Sequence, residues 1–349
     1  MVATTNAFRV AAVQAAPVFM DLNGTVQKTI DLIKSAAEAG AKLVAFPECW
    51  IPGYPFYIWL GAPAWWMKFV PGYHANAMEV ESAEAEAICA AARENKIMVA
   101  LGFSERAGGS LYISQLLIGA DGKLVSKRRK LKPTHMERTV FGEGCGADLA
   151  VHDTPLGRIG MLNCWEHLQP LTRFALYSMN EQVHIASWPS FGVYVGIAHA
   201  LGAEVNNAAS LMYAVEGQCY VIAPCAVITE SIIDTICETE DQRQLIKAGG
   251  GFAKVYAPDG QSIGTSLQET EEGLVLADID LGLIPLAKAV GDPAGHYARP
   301  DVTRLLLNRS SAPPVEYMRS SFEEMAPADD EDDTSVELRH DSAQLKRAN

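Results

Sequence analysis

Apolar positions recur along this chain in two alternating rhythms. Short, nearly unbroken apolar runs predict buried strands over residues 9–15, 42–46, 97–105 and 111–120. Between them, 23–39 and 82–95 carry apolar residues at helical spacing. Gly40 is placed to stop the first of these helices, and Ser82 to cap the second. A further strand is expected over 124–130. Gly108-Gly109 and Asp121-Gly122 separate three consecutive strands and predict hairpins, so this sheet is not purely parallel. The second half repeats the order: strand 158–163, helix 170–180, strand 183–188, helix 198–217, strand 219–223 and a helix near 230–248. Strands over 252–257 and 273–280 close the pattern, joined through Pro258-Asp259-Gly260. Such an order gives an α/β fold whose mixed sheets are covered by helices on their outer faces. The pattern alone does not separate a doubly wound sheet from a sandwich.

Composition narrows the classes. A chain of 349 residues, 49% apolar and 20% charged, fits one large α/β domain or two small ones with a full core. The net charge of −14 is unevenly spread, because eight acids and no bases lie between Ser320 and Leu338. Removing those eight leaves about −6, too mild to matter for partners and of the wrong sign for nucleic acid. We expect a catalytic domain over 1–310 and an acidic, disordered tail over 311–349. No apolar run approaches the ~20 residues that span a bilayer, so no membrane partner is expected. Seven scattered cysteines, none in a C-x-x-C pair, and the lack of a secretion-signal pattern over 1–7 predict a reducing cytoplasm. Eight histidines show no ligand spacing, so no metal is expected. Gly249-Gly250-Gly251 lacks a following Gly-Lys-Ser/Thr and reads as a turn before a strand.

Three strand ends carry candidate chemistry. The run Arg158 to Asn163 ends in Cys164, with Trp165-Glu166-His167 after it and a helix beyond. A thiol ahead of a helix N-terminus feels the positive end of the dipole, which lowers its pKa. By itself, a cysteine closing an apolar strand is more often a small buried hydrophobe. The strand over 42–46 stops at Pro47, and Glu48 follows. The strand over 124–130 ends with Lys130 shortly before Pro133. Its five basic residues between 127 and 132 also suit a solvated edge strand, but alternation sends Arg128 and Lys130 to one side and Lys127 and Arg129 to the other. Glu48, Lys130 and Cys164 supply a base, a cation and a nucleophile.

Phe46-Pro47-Glu48, Arg128-Arg129-Lys130 and Asn163-Cys164-Trp165-Glu166, in that order, resemble the three signatures of the nitrilase (carbon–nitrogen hydrolase) superfamily. The resemblance runs from about Phe8 to Asn308 and includes Pro52-Gly53-Tyr54-Pro55, Gly142-Glu143-Gly144 and the segment Gly295 to Asp301. Lys130 to His135 and Cys164 to His167 are similar to true nitrilases, and nearest to arylacetonitrilases, rather than to the amidase branches. The resemblance implies a four-layer α-β-β-α sandwich, a Glu48-Lys130-Cys164 triad, and Glu137 as a second glutamate beside it. It implies hydrolysis of an organic nitrile to the acid and ammonia with no cofactor, and a homo-oligomer built from dimers that stack into spirals or filaments. Cyanide hydrolysis and amide hydrolysis are the rivals within the superfamily; a non-catalytic assembly protein is the rival outside it. Glu166 and His167 are expected to hold the loop by hydrogen bonds. Tyr54, six residues after Glu48, with Trp165, Trp188 and Phe191, is expected to wall a pocket for a neutral, apolar nitrile.

Overall fold

Alternation along the first strand assigns the faces of the whole molecule. In β1 (Ala7–Ala15), Val10 and Ala12 join the apolar cluster that fills the space between two sheets. Their neighbours Ala11 and Val13 join a second cluster under two helices. Both faces are therefore buried, which is why the run reads as continuously apolar. The computed structural model describes residues 7–311 and 315.

The first sheet contains β1, β2 (Ala41–Ala45), β3 (Met98–Ala107), β4 (Ser110–Ile118), β5 (Leu124–Arg129) and β6 (Phe141–Gly142). The second begins with β7 (Val151–Thr154), β8 (Gly157–Asn163), β9 (Val183–Ser187) and β10 (Tyr220–Ala223). The next strand, β11 (Cys225–Ala226), returns to the first sheet beside β1; β12 (Lys254–Tyr256) and β13 (Ser262–Ile263) extend the second; β14 (Gly273–Asp280) pairs antiparallel with β1 in the first. The helices are α1 (Leu22–Glu38), α2 (Pro63–Trp66), α3 (Val70–Asn76), α4 (Ala83–Asn95), α5 (Pro170–Tyr177), α6 (Ala203–Gly217), α7 (Glu230–Ile236), α8 (Glu240–Gln244) and α9 (Ile284–Val290). Val26, Ile33 and Ala36 of α1, with Ile88 and Ala91 of α4, cover the first sheet. Ala175 and Leu176 of α5, with Ala209 and Tyr213 of α6, cover the second. Helix, sheet, sheet, helix is the expected four-layer order. Leu43 and Ile185 lie in the middle, both fully buried, and cutting either to alanine costs about 2–5 kcal/mol.

Two connections differ from the expected ones. Strands 252–257 and 273–280 are not partners: β12 lies in the second sheet and β14 in the first. Pro258-Asp259-Gly260 instead turns β12 into the two-residue β13, too short to leave a pattern. The helix expected near 230–248 breaks in two, because Thr239 caps α8 and accepts from the Gln242 N–H. The boundary expected at residue 310 falls at the end of the described chain, and the acidic run after Ser320 lies outside the described residues. Among the described residues, no helix is long and apolar enough to cross a membrane.

Candidate active site

Three strand ends converge where the two sheets meet. After β2, Phe46-Pro47 carries Glu48 across β3, where Gly102 lies so close that a Cβ would fall 2.1 Å from the Pro47 carbonyl oxygen. Beyond β5, the Lys130 N–H donates to the Ile113 carbonyl at 2.7 Å, which holds the strand straight for one residue more. Cys164 follows β8 with φ +47, a strained value for a side-chain-bearing residue, and opens a 3-10 turn, Cys164–Leu168. Polar bonds tie the sheets together here. The Gln115 side chain donates to Ser187 Oγ at 2.9 Å, and that hydroxyl donates to the Phe46 carbonyl at 3.1 Å.

The convergence buries two carboxylates, a lysine and a thiol. Lys130 Nζ donates to Glu48 Oε1 at 2.8 Å and to Glu137 Oε2 at 2.7 Å. The Thr134 N–H donates to Glu137 Oε2 at 2.6 Å, and the Tyr54 hydroxyl to Glu137 Oε1 at 2.7 Å. A carboxylate oxygen from each glutamate and Cys164 Sγ lie within 4.8 Å of one another. That spacing suits a metal ion, but the Lys130 ammonium bonds both carboxylates, so the cation of this cluster is part of the chain. Glu48 Oε2 is buried and has no hydrogen-bond partner among the described residues. On the opposite face of β5, Lys127 and Arg129 pair with Glu105 at 3.0 and 2.7 Å.

Burial sets the electrostatics. It pushes the Glu48 carboxyl up to about 8, helped by the Glu137 charge and opposed by Lys130. Burial pulls Lys130 down, but Glu137 and Glu48 outweigh it and hold the ammonium charged. The thiol corrects the sequence-based expectation: burial and the Glu48 charge push Cys164 well above the usual range, against Lys130 and the Trp165 N–H. Helix α5 starts only at Pro170, past the 3-10 turn, so its dipole is too far to dominate. An activated thiolate therefore needs a base at the moment of attack, and Glu48 has a carboxylate oxygen within 4.8 Å of the sulfur.

A narrow cavity of about 50 Å3 opens above Cys164. Tyr54, Trp165 and Phe191 line it, with Glu137. Trp188 does not, which corrects its placement in the pocket wall. It is 1% exposed, stacks on His167 and donates from Nε1 to Ser210 Oγ on α6 at 2.8 Å. Ser187 faces the space between the sheets, so alternation turns Trp188 the other way. The lining also holds Phe56, Trp59, Leu201 and Asn206, which the sequence did not single out. The Trp59 indole N–H donates to the Tyr54 hydroxyl at 3.1 Å. Nothing in the local sequence marks Asn206, whose Oδ1 is buried without a partner among the described residues.

The chain matches the carbon–nitrogen hydrolase family over residues 9–289. It is 54% identical over 307 residues to a nitrilase of Pseudomonas syringae pv. syringae (strain B728a), covering 88% of this chain and 91% of that protein. The chain belongs to the carbon–nitrogen hydrolase family. Within it, the enzyme falls in the nitrilase branch. A nitrilase of Alcaligenes faecalis described as arylacetone-specific is 50% identical over 326 residues, with 93% of this chain and 92% of that one covered. The fold is that of a carbon–nitrogen hydrolase from Helicobacter pylori G27, at a TM-score of 0.64, 19% identity and coverage of 84% and 96%.

Proposed function

We propose that this enzyme acts on arylacetonitrile-type substrates and uses Cys164 as its nucleophile, Glu48 as its base, and Lys130 and Glu137 beside them. Nitrile hydrolysis to the carboxylic acid and ammonia is its activity. Glu48 Oε2 takes the thiol proton as Sγ bonds to the nitrile carbon, and the nitrogen receives that proton to give a thioimidate. Glu48 then deprotonates a water that adds to the same carbon and passes that proton to the nitrogen, and the new hydroxyl gives its own proton to the nitrogen as it becomes a carbonyl. Breaking the carbon–nitrogen bond releases ammonia and leaves a thioester, and a second water displaces the thiolate as the acid departs. Lys130 supports the negative charge that builds on the substrate nitrogen. The observation that carries this reading is the buried cluster in which a carboxylate oxygen of Glu48 and Cys164 Sγ lie within 4.8 Å of each other.

The cavity is below the roughly 300 Å3 usual for a ligand site, which favours a second reading: cyanide or a small aliphatic nitrile. A cleft of about 440 Å3 adjoins it, and Phe191 lines both. In the arylacetonitrile reading the ring reaches that cleft past Phe191 while the nitrile stays over Cys164. Ammonia release from phenylacetonitrile, aliphatic nitriles, cyanide and amides decides between them. A specificity constant for cyanide above that for phenylacetonitrile sinks the first reading. Cys164→Ala should abolish turnover without unfolding the chain, checked by circular dichroism; more than a trace of ammonia release removes Cys164 as nucleophile. Leu171 of α5 and Met212 of α6, 62% and 42% exposed, suit a face shared by two copies in a homo-oligomer that stacks into a spiral or filament. A reducing cytoplasm suits the seven free thiols.

A further inference from the structure

Behind Cys164, away from the cavity, runs a row of buried polar groups that the hydrolytic steps do not use. His167 Nδ1 lies 2.6 Å from the Cys164 carbonyl oxygen, and His167 Nε2 lies 2.9 Å from His184 Nε2. His184 Nδ1 is 2.7 Å from Glu181 Oε1, and the Tyr213 hydroxyl donates to Glu181 Oε2 at 2.6 Å. His167, His184 and Tyr213 are fully buried, and Glu181 is 1% exposed. The carboxyl lies over Gly160 of β8, where a Cβ would fall 2.0 Å from Oε1. Only glycine there leaves room for it.

The far end of the row fixes the direction of every bond. A carbonyl oxygen only accepts, so His167 Nδ1 carries a hydrogen. A neutral His167 then offers Nε2 as an acceptor, and His184 Nε2 must donate. His184 Nδ1 becomes an acceptor in turn, and Glu181 must supply the hydrogen as a carboxylic acid. Moving that proton onto His184 leaves the bond to Cys164 unchanged. Removing it reverses the row and sets the His167 Nδ1 lone pair against the carbonyl oxygen. Burial agrees with the filled form. It pushes Glu181 up to about 8 against the Tyr213 and Gly160 donors. Burial also holds both imidazoles well below their ordinary range.

What the row holds is one peptide plane. The Cys164 carbonyl and the Trp165 N–H belong to the same trans peptide and point in opposite directions. Cys164 itself sits at φ +47, so the direction of its side chain depends on that plane staying fixed. We propose that Tyr213, Glu181, His184 and His167 form a proton-filled chain that fixes the Cys164–Trp165 peptide and so holds the left-handed backbone of Cys164 that presents the nucleophilic sulfur. All four are positioning residues, and the inference rests on Cys164 being the nucleophile. Other titratable groups stand around the chain. Tyr177 at the end of α5 and Cys219 after α6 are both pushed up by burial, so neither ionises near pH 8. The paired charges of Arg128 and Glu166 also face the imidazoles.

Glu181→Gln and Glu181→Ala, each in the full chain, separate this role from simple packing. A glutamine donates to His184 Nδ1 through its amide and accepts from Tyr213 through its oxygen, as the neutral acid does. Its kcat should stay within about threefold of wild type. Its activity should persist to higher pH, because the group that ionises at about 8 is gone. Glu181→Ala should lose about tenfold or more in kcat with KM little changed. Iodoacetamide should also alkylate its Cys164 more slowly at each pH, read by mass spectrometry. A glutamine variant as impaired as the alanine one, or an alanine variant with wild-type kcat and pH profile, overturns the proposal. If the alanine variant does not fold, the glutamine variant decides alone: a tenfold loss of kcat, or an unmoved alkaline limb, overturns it. Failure of the nucleophile assignment is read separately, from ammonia release by Cys164→Ala.

Discussion

Arg128 and Lys130 leave one side of the same strand two residues apart, and both are buried against carboxylates. Arg128 makes a two-pronged pair with Glu166 at 2.9 and 2.7 Å, and its Nη1 also donates to Gln115 at 2.8 Å. Glu166 takes two further bonds, from the Leu131 N–H at 2.9 Å and the Asn163 N–H at 2.8 Å. Both of its oxygens are filled, and the Arg128 charge holds its carboxyl low despite burial. Lys130 faces two glutamates, and one Glu48 oxygen is left empty. The Glu48 carboxyl is pushed up rather than down. A saturated pair fixes the loop that carries Cys164, whereas an unsaturated cluster has a lone pair to spend on a proton. Burial is the same in both places; what differs is the number of donors.

The contrast breaks first at the glutamates. Glu48→Gln removes the base and should lower kcat by about 10^3–10^4, within the upper range of general-base effects, while the fold survives. Glu166→Gln leaves Arg128 charged and short of a partner, so it should cost about 3–5 kcal/mol of stability, measured by urea unfolding. A stable Glu166→Gln variant, or an active Glu48→Gln variant, would erase the distinction. Glu137→Gln should fall between them. It weakens one of the two contacts that place Lys130, so turnover should drop by about 10–100-fold while iodoacetamide still reaches Cys164. Wild-type rates would return Glu137 to a purely structural place.

The same contrast has a pH signature with opposite signs. Glu48 is raised from 4.5 to about 8, so its contribution to stability is complete below pH 4.5 and is lost as pH climbs to about 8. Glu166 is lowered from 4.5, so its contribution is present above that pH and is lost as pH falls. Wild type should therefore lose melting temperature relative to Glu48→Gln between pH 4.5 and 8. The deficit of Glu166→Gln should be largest at neutral pH and shrink in acid. Turnover should also fall as pH drops below about 8, because protonated Glu48 cannot take the thiol proton. Parallel melting curves for the two variants across this range would contradict the assignment of charge.

Legibility in the sequence follows the same division. Glu48, Lys130 and Cys164 each end a strand inside a short run, so local pattern and the family resemblance found them together. Tyr54 was within reach because it lies a few residues past Glu48. Asn206 enters the cavity from α6, and its meeting with Cys164 is made by helix packing that leaves no local trace. Glu181, His184 and Tyr213 come from a loop, a strand and a helix, and only β9 beside β8 aligns them with His167. Trp188 was misplaced for want of a register, since its neighbour Ser187 decides which way it points. The strands were legible as short apolar runs and the two-sheet sandwich through the family resemblance, but the return of β14 to the first sheet was not, because pairing partners are set by the crossing of the chain and not by either strand.

The smallest effect is expected at Lys132, and it tests the comparison most directly. It lies two residues beyond Lys130, and an uninterrupted strand would send both to the same side. Pro133 and the turn before it prevent this. Lys132 is 58% exposed and pairs at the surface with Glu143, whose side chain is 53% exposed. Lys130, at 0%, has no water to replace a lost partner. Exposed pairs of this kind contribute about 0–1 kcal/mol, and salt screens them. Lys132→Ala should therefore leave kcat unchanged and lower stability by less than about 1 kcal/mol, with the difference vanishing in high salt. Lys130→Ala leaves two carboxylates facing each other without a cation, and it should abolish turnover while the pH dependence of folding steepens. Equal losses in kcat from the two variants would mean that a basic stretch, and not one buried ammonium, serves the reaction.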